Sequence, residues 1–164
     1  MKAIIYILTF AIALFASQNS FSQKRLDSDN EIKLDKSYQV SSKSRTVKMK
    51  KGDTFIITLD LKKDRAYYIS VSGNKSFSDI QYKLIRENDN SDILYDNSAY
   101  EFNNKTIISV HEDSKVTLEV KTQPASYLAN STNKKDVNLV IASKKVKSSN
   151  IDSMPNMIVL ASNE

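Results

Sequence analysis

The chain has 164 residues, 24 Lys+Arg against 19 Asp+Glu, two Gly, two Pro, one His, and neither Trp nor Cys, which is the length of one ordinary domain. With only Gly52 and Gly73, no Gly-rich phosphate cradle or dinucleotide turn can form, since those need several glycines close together to bring backbone against phosphate. The lack of cysteine excludes disulfides, thiolate zinc sites, iron-sulfur clusters and a Cys nucleophile, and the lone His111 cannot supply a two-His metal site, so carboxylate, hydroxyl and lysine chemistry remain.

Residues 1–22 have the pattern of a signal peptide. Lys2 is the charged start, Ala3 to Ala16 is the apolar run, and Ser20-Phe21-Ser22 offers small residues where a signal peptidase reads. The run falls short of the roughly 18 residues that span a bilayer, and no cysteine is present to carry a lipid. The expected product therefore starts at Gln23, keeps no membrane anchor, and is periplasmic or secreted. A wealth of Lys, Asn and Ile fits an AT-rich bacterial genome.

A polar leader follows over residues 23–44, with room for one edge strand near Tyr38. From residue 45 the period is two. Val47 and Met49 alternate with polar neighbours, Lys51-Gly52-Asp53 supplies turn residues, and Phe55, Ile57, Leu59 and Leu61 share a face, which together read as a hairpin. Lys62 to Arg65 is a polar turn, Tyr67, Ile69 and Val71 share the next face, and Ser72-Gly73-Asn74 closes that strand. Further strands are expected around Ile80 to Leu84, Ile93 to Tyr95, Thr106 to His111, Lys115 to Lys121, Val137 to Ala142 and Met157 to Ala161. No stretch of the mature chain keeps apolar residues at helical spacing for three turns, and β-branched and aromatic residues fill the alternating positions. Residues 45–164 are thus expected to form a single all-β domain. The expected form is an antiparallel, jelly-roll-like β-sandwich of eight or nine short strands, because one open sheet would leave an apolar face wet, with a barrel as the alternative.

The run Met49 to Leu59, then Tyr67 to Val71, then Ile93-Leu94-Tyr95-Asp96-Asn97-Ser98 resembles a pre-peptidase C-terminal β-sandwich over about residues 45 to 121. That resemblance implies an accessory module of the kind attached to secreted peptidases, some of which bind calcium or matrix polymers.

Three groups of side chains are candidates for function. His111 is followed by Glu112 and Asp113 and flanked by Ser109 and Ser114, but no glycine-flanked turn is present to present a nucleophile, so it reads as a surface histidine. The loop Asn88 to Asp96 is dense in oxygen donors, and Asp89, Asp92 and Asp96 are the charged ligands a weak calcium site would use. Ile93 stands where an EF-hand loop needs glycine, so an ordinary connector is the plainer reading. Calcium is the one ion that these donors suit, and no other cofactor is expected. Tyr68, on the face opposite Tyr67, and the loop residues Tyr100 and Tyr127 are the tyrosines that could bind a sugar polymer.

The basic residues are interspersed with acids, and the group Lys134, Lys135, Lys144, Lys145 and Lys147 has the look of a solvated face, so no nucleic-acid partner is expected. The functional expectation is a non-enzymatic exported protein that binds or supports an envelope protein or glycan. A carbohydrate-binding module is its sharper form. The competing class is a secreted hydrolase using paired carboxylates drawn from Asp79, Asp92, Asp96, Glu101 and Glu119.

Overall fold

The computed structural model describes residues 34–77, 79–87, 92–124, 133–146 and 157–160, and Asp35–Glu164 forms one compact unit. The described strands are β1 (Gln39–Val40), β2 (Arg45–Met49), β3 (Thr54–Leu61), β4 (Arg65–Gly73), β5 (Ile80–Arg86), β6 (Ile93–Asp96), β7 (Lys105–Val110), β8 (Ser114–Thr122), β9 (Lys135–Lys145) and β10 (Met157–Leu160). A single 3-10 turn, Asn97–Tyr100, follows β6.

Two sheets pack face to face. One has the order β1-β9-β4-β7-β10 with β2 also on β9, and the other has the order β3-β8-β5-β6. Alternation along each strand turns one apolar row inward. The core joins Met49, Leu59, Leu61, Tyr67, Ile69, Val71, Tyr82, Leu84, Ile108, Val110, Leu118 and Leu139, with Phe55, Ile57 and Ile80 half-buried at its margin. The expected inward residues of β3, β4, β5, β8 and β9 all face this core.

The connections differ from the hairpins that the alternation suggests. β2 pairs with β9 and β3 with β8, so Lys50 to Asp53 carries the chain from one sheet to the other. Two successive apolar rows can both face inward either across a hairpin or across such an arch, and here the arch wins. Gly52, at φ +86°, takes the left-handed corner, where a β-carbon is costly. Asp53 N–H donates to the Lys50 carbonyl at 3.1 Å, Lys50 N–H donates to the Asp53 carboxylate at 3.0 Å, and the Thr122 hydroxyl donates to the Lys50 carbonyl at 2.7 Å.

The connections β3 to β4, β4 to β5, β6 to β7, β7 to β8 and β8 to β9 also change sheets, leaving β5–β6 as the within-sheet hairpin among β2 to β9. The orders β2-β9-β4-β7 and β3-β8-β5-β6 are those of a jelly roll, in which consecutive strands alternate between two Greek-key sheets. Both sheets are antiparallel apart from β10, which runs parallel to β7. The edge strand near Tyr38 is β1. It and β2 share the β9 edge, and the Ser44 hydroxyl bridges the break between them by donating to the Ile141 carbonyl and accepting from the Ile141 N–H, both at 2.9 Å.

β4 lies centrally and is buried on both faces, from Ala66 to Val71. At its end Gly73 leaves room for the Ile80 side chain, whose terminal methyl would have to move aside for a β-carbon.

Leu59 is 2% exposed; Leu59→Ala should cost about 2 to 5 kcal/mol. Ile56→Ala, on the solvent side of the same strand, should change stability by less than about 0.5 kcal/mol. Urea unfolding of both variants checks the register, because a one-residue slip would exchange the two losses.

Candidate functional site

The residues that the sequence singles out around Asp96-Asn97-Ser98 build the corner between β6 and β7. Asp96 caps the 3-10 turn, its carboxylate accepting from the Ser98 N–H at 2.9 Å and the Ser98 hydroxyl at 2.7 Å. The same carboxylate accepts from the Gln81 amide at 3.1 Å and meets the Lys83 ammonium at 3.2 Å. Burial acts to raise the Asp96 pKa, but the Ser98 hydroxyl and amide, then Gln81 and Lys83, outweigh it and hold the carboxyl at about 2.

Asn97 is fully buried. Its Oδ1 accepts from the Tyr82 N–H at 2.8 Å, and its Nδ2 donates to the carbonyls of Ile80 at 2.9 Å and Asn103 at 3.3 Å. The side chain thus binds β5 to the corner and satisfies backbone groups that no strand reaches.

A stack of rings stands on this corner. Tyr82, at 0% exposure, lies in the core; Tyr95 lies 5.5 Å from it between ring centroids; and Tyr100 stacks on Tyr95 at 5.3 Å with 15° between planes. Burial first, then the neighbouring Tyr95 phenol, pushes the Tyr82 phenol well above its usual range, so it stays protonated. Tyr100 is 58% exposed. One ring face rests on Tyr95, so the side chain is oriented although it stands in solvent. Beyond it Glu101 and Phe102 both take left-handed backbone, at φ 53° and 54°, and the Asn103 N–H donates to the Tyr100 carbonyl at 3.0 Å. Two left-handed residues without glycine cost about 1 to 2 kcal/mol each. Bonds from the Glu101 and Phe102 amides to the Asn97 carbonyl hold them there. No glycine, and so no sequence signal, marks this turn.

Of the two candidate tyrosines among the described residues, Tyr68 and Tyr100, Tyr100 is the exposed one. Tyr68 does point away from the core row, but it is 6% exposed, with the Tyr38 ring edge-on at 6.2 Å. Lys144 lies 4.7 Å over that Tyr38 ring and 3.7 Å from Asp35. Tyr68 therefore anchors the chain before β1 and offers no surface to a polymer. Tyr127 lies outside the described residues.

Asp89 also lies outside them. Asp92 stands at the entry to β6, its carbonyl accepting from the Arg86 N–H at 2.8 Å. Asp96 points its carboxylate at Ser98, Gln81 and Lys83, donors a calcium ion would have to displace. Among the described residues no three His, Asp or Glu side chains converge as a metal cluster.

His111 is exposed on the turn between β7 and β8, while Ser109 is buried. Register places Lys83 between Asp96 on β6 and Glu119 on β8, so these two acids are separated by two strand spacings, about 10 Å, with an ammonium between them. No known family model matches the chain, and no curated protein is significantly similar to it in sequence.

Two outcomes follow from this corner. Asn97→Ala strands the Tyr82 amide and the Ile80 carbonyl and should cost about 2 to 4 kcal/mol, against less than about 1 for Ser98→Ala, as read by denaturant melts. The folded-state pKa of Asp96 is depressed from 3.8 to about 2, so its contribution is complete above the unfolded value and disappears as pH falls through the folded one. That contribution is about 2 kcal/mol. Melts between pH 5 and 2 should show Asp96→Asn less stable than wild type at the upper end and the two converging at the lower end.

Proposed function

We propose that this chain is a non-enzymatic, exported β-sandwich with a binding or accessory role in the bacterial envelope or secretome, of the kind implied by its resemblance to pre-peptidase C-terminal modules. In sharper form, the ligand is a glycan polymer and Tyr100 is the contact.

The observation that carries this reading is the Tyr95–Tyr100 stack, in which an aromatic ring is 58% exposed and yet fixed from below. A flat ring presented without conformational freedom suits the apolar C–H face of a sugar, because little entropy is lost when the two meet. The exposed Glu101 and Asn103 beside it supply hydrogen-bonding groups for the hydroxyls at the sugar's rim. The carboxylate-hydrolase alternative gains nothing from Asp96 and Glu119, which Lys83 separates.

Retention on insoluble polysaccharides, including bacterial cell-wall preparations, tests the reading. The exported chain should bind at least one polymer, and Tyr100→Ala should weaken binding about tenfold or more with the melting temperature unchanged. Equal retention of both proteins, or none on any polymer, would remove the glycan from the proposal.

A further inference from the structure

The second sheet has two edges of different character. β6 is four residues long and ends at the Asp96 cap, whereas β3 is eight residues long and, among the described residues, pairs with β8 alone. The direction of its backbone groups follows from two contacts. The Asp53 carbonyl accepts from Thr122 N–H on β8 at 3.1 Å, while the Thr58 carbonyl accepts from the Lys43 ammonium at 2.6 Å. Odd-numbered residues of β3 therefore face β8, and Thr54, Ile56, Thr58 and Asp60 turn their N–H and C=O groups to the open edge.

That edge is divided. Lys43 guards the second half by holding the Thr58 carbonyl and lying 3.4 Å from the Asp60 carboxylate. Over Thr54 to Ile57, no group among the described residues pairs with the outward backbone. This half is also the apolar one: Ile56 is 59% exposed, and Phe55 and Ile57 are only partly buried. An unpaired, apolar strand edge is a template for another strand.

We propose that the free half of β3 is an interface between two copies of this chain, their β3 strands pairing antiparallel about a two-fold axis through Phe55. In that register Thr54 lies opposite the partner's Ile56, and both have outward backbone groups, so they exchange N–H···O=C bonds; the two-fold repeats the exchange on the other side of Phe55. Phe55 then faces the partner's Phe55 as a non-hydrogen-bonded pair, the closer kind of cross-strand contact, and each ring covers the other's wet flank. Thr58 falls opposite the partner's Gly52, where that strand turns away. The added strand ends where Lys43 blocks the edge, so the guard and the pairing coexist.

The self-match in length is what favours a second copy over a foreign strand. An interface this short lies at the small end, below about 1,200 Å², so association belongs in the micromolar range or weaker.

Sedimentation equilibrium of the exported chain from micromolar to millimolar concentration should show the average mass rising from one chain toward two. Ile56→Lys, at an exposed position, should keep the melting temperature and stay a single chain throughout. As the protein has no cysteine, Phe55→Cys should form an interchain disulfide on mild oxidation and Asp60→Cys should not. A single-chain mass at every concentration, a dimer indifferent to Ile56→Lys, or equal cross-linking at the two positions would overturn the proposal.

Discussion

A chain that crosses between two sheets at nearly every connection keeps leaving ladders, and each departure exposes backbone donors and acceptors that must find partners elsewhere. In this protein the partners are side chains placed at the crossings. Asn97 supplies them between β6 and β7, where its buried amide serves the backbone of Tyr82, Ile80 and Asn103. Asp53 and Thr122 do so between β2 and β3. At the β3–β4 crossing the Asp113 carboxylate accepts the Lys63 N–H at 2.9 Å and the Tyr67 hydroxyl accepts the Lys62 N–H at 2.7 Å. Ion pairs such as Lys48–Asp136 and Lys62–Asp113 lie exposed on both sides and add little. The fixed crossings are what let a sandwich with no disulfide hold its two sheets in register.

Period-two alternation made the strands legible in the sequence because it records which side chains face the core, and nothing else in the chain competes with it. The same alternation cannot distinguish a hairpin from an arch, so the Val47–Phe55 segment looked like a ladder pair although its two strands lie in different sheets. It also presumes that the far side of a sheet is wet. Tyr68 fails that presumption because Tyr38, itself held under Lys144, closes over it, and residues far apart in sequence gave no sign of meeting there. The parallel pairing of β10 is likewise long-range. At the β6–β7 corner, Asp96-Asn97-Ser98 had the composition of any polar turn; that the middle residue is a core group depends on where β5 runs. Glu101 and Phe102 carried no sign of their left-handed backbone, which neighbouring bonds impose against their own preference.

Both proposed features grow out of crossings. Tyr100 is presented because the 3-10 turn after β6 lifts it onto Tyr95, and the left-handed pair behind it sends the chain back into β7 without covering its outer face. The free half of β3 exists because the arch from β2 delivers the strand to the sheet's rim, while Lys43, in the break between β1 and β2, reaches only its second half. With two glycines and neither cysteine nor tryptophan, the chain is left with carboxylate, hydroxyl and lysine side chains as its polar chemistry.

The two features lie on opposite edges of one sheet, in the order β3-β8-β5-β6, and that placement joins the two proposals physically. Pairing through β3 would make a continuous sheet running from one β6 to the other, with a Tyr100 ledge beyond each end. Seven strand spacings separate the two β6 strands, about 34 Å. A ledge that holds one sugar weakly gains from such an arrangement only if the ligand repeats, because the second contact is then made at high effective concentration, and avidity can exceed the single-site affinity by about 10² to 10⁴. A polymer meets that condition and a free oligosaccharide too short to bridge the ledges does not. Ile56→Lys, which leaves Tyr100 untouched, should therefore weaken retention on an insoluble glycan while leaving affinity for a short soluble fragment unchanged. Equal retention of Ile56→Lys and wild type would show that the two edges act independently.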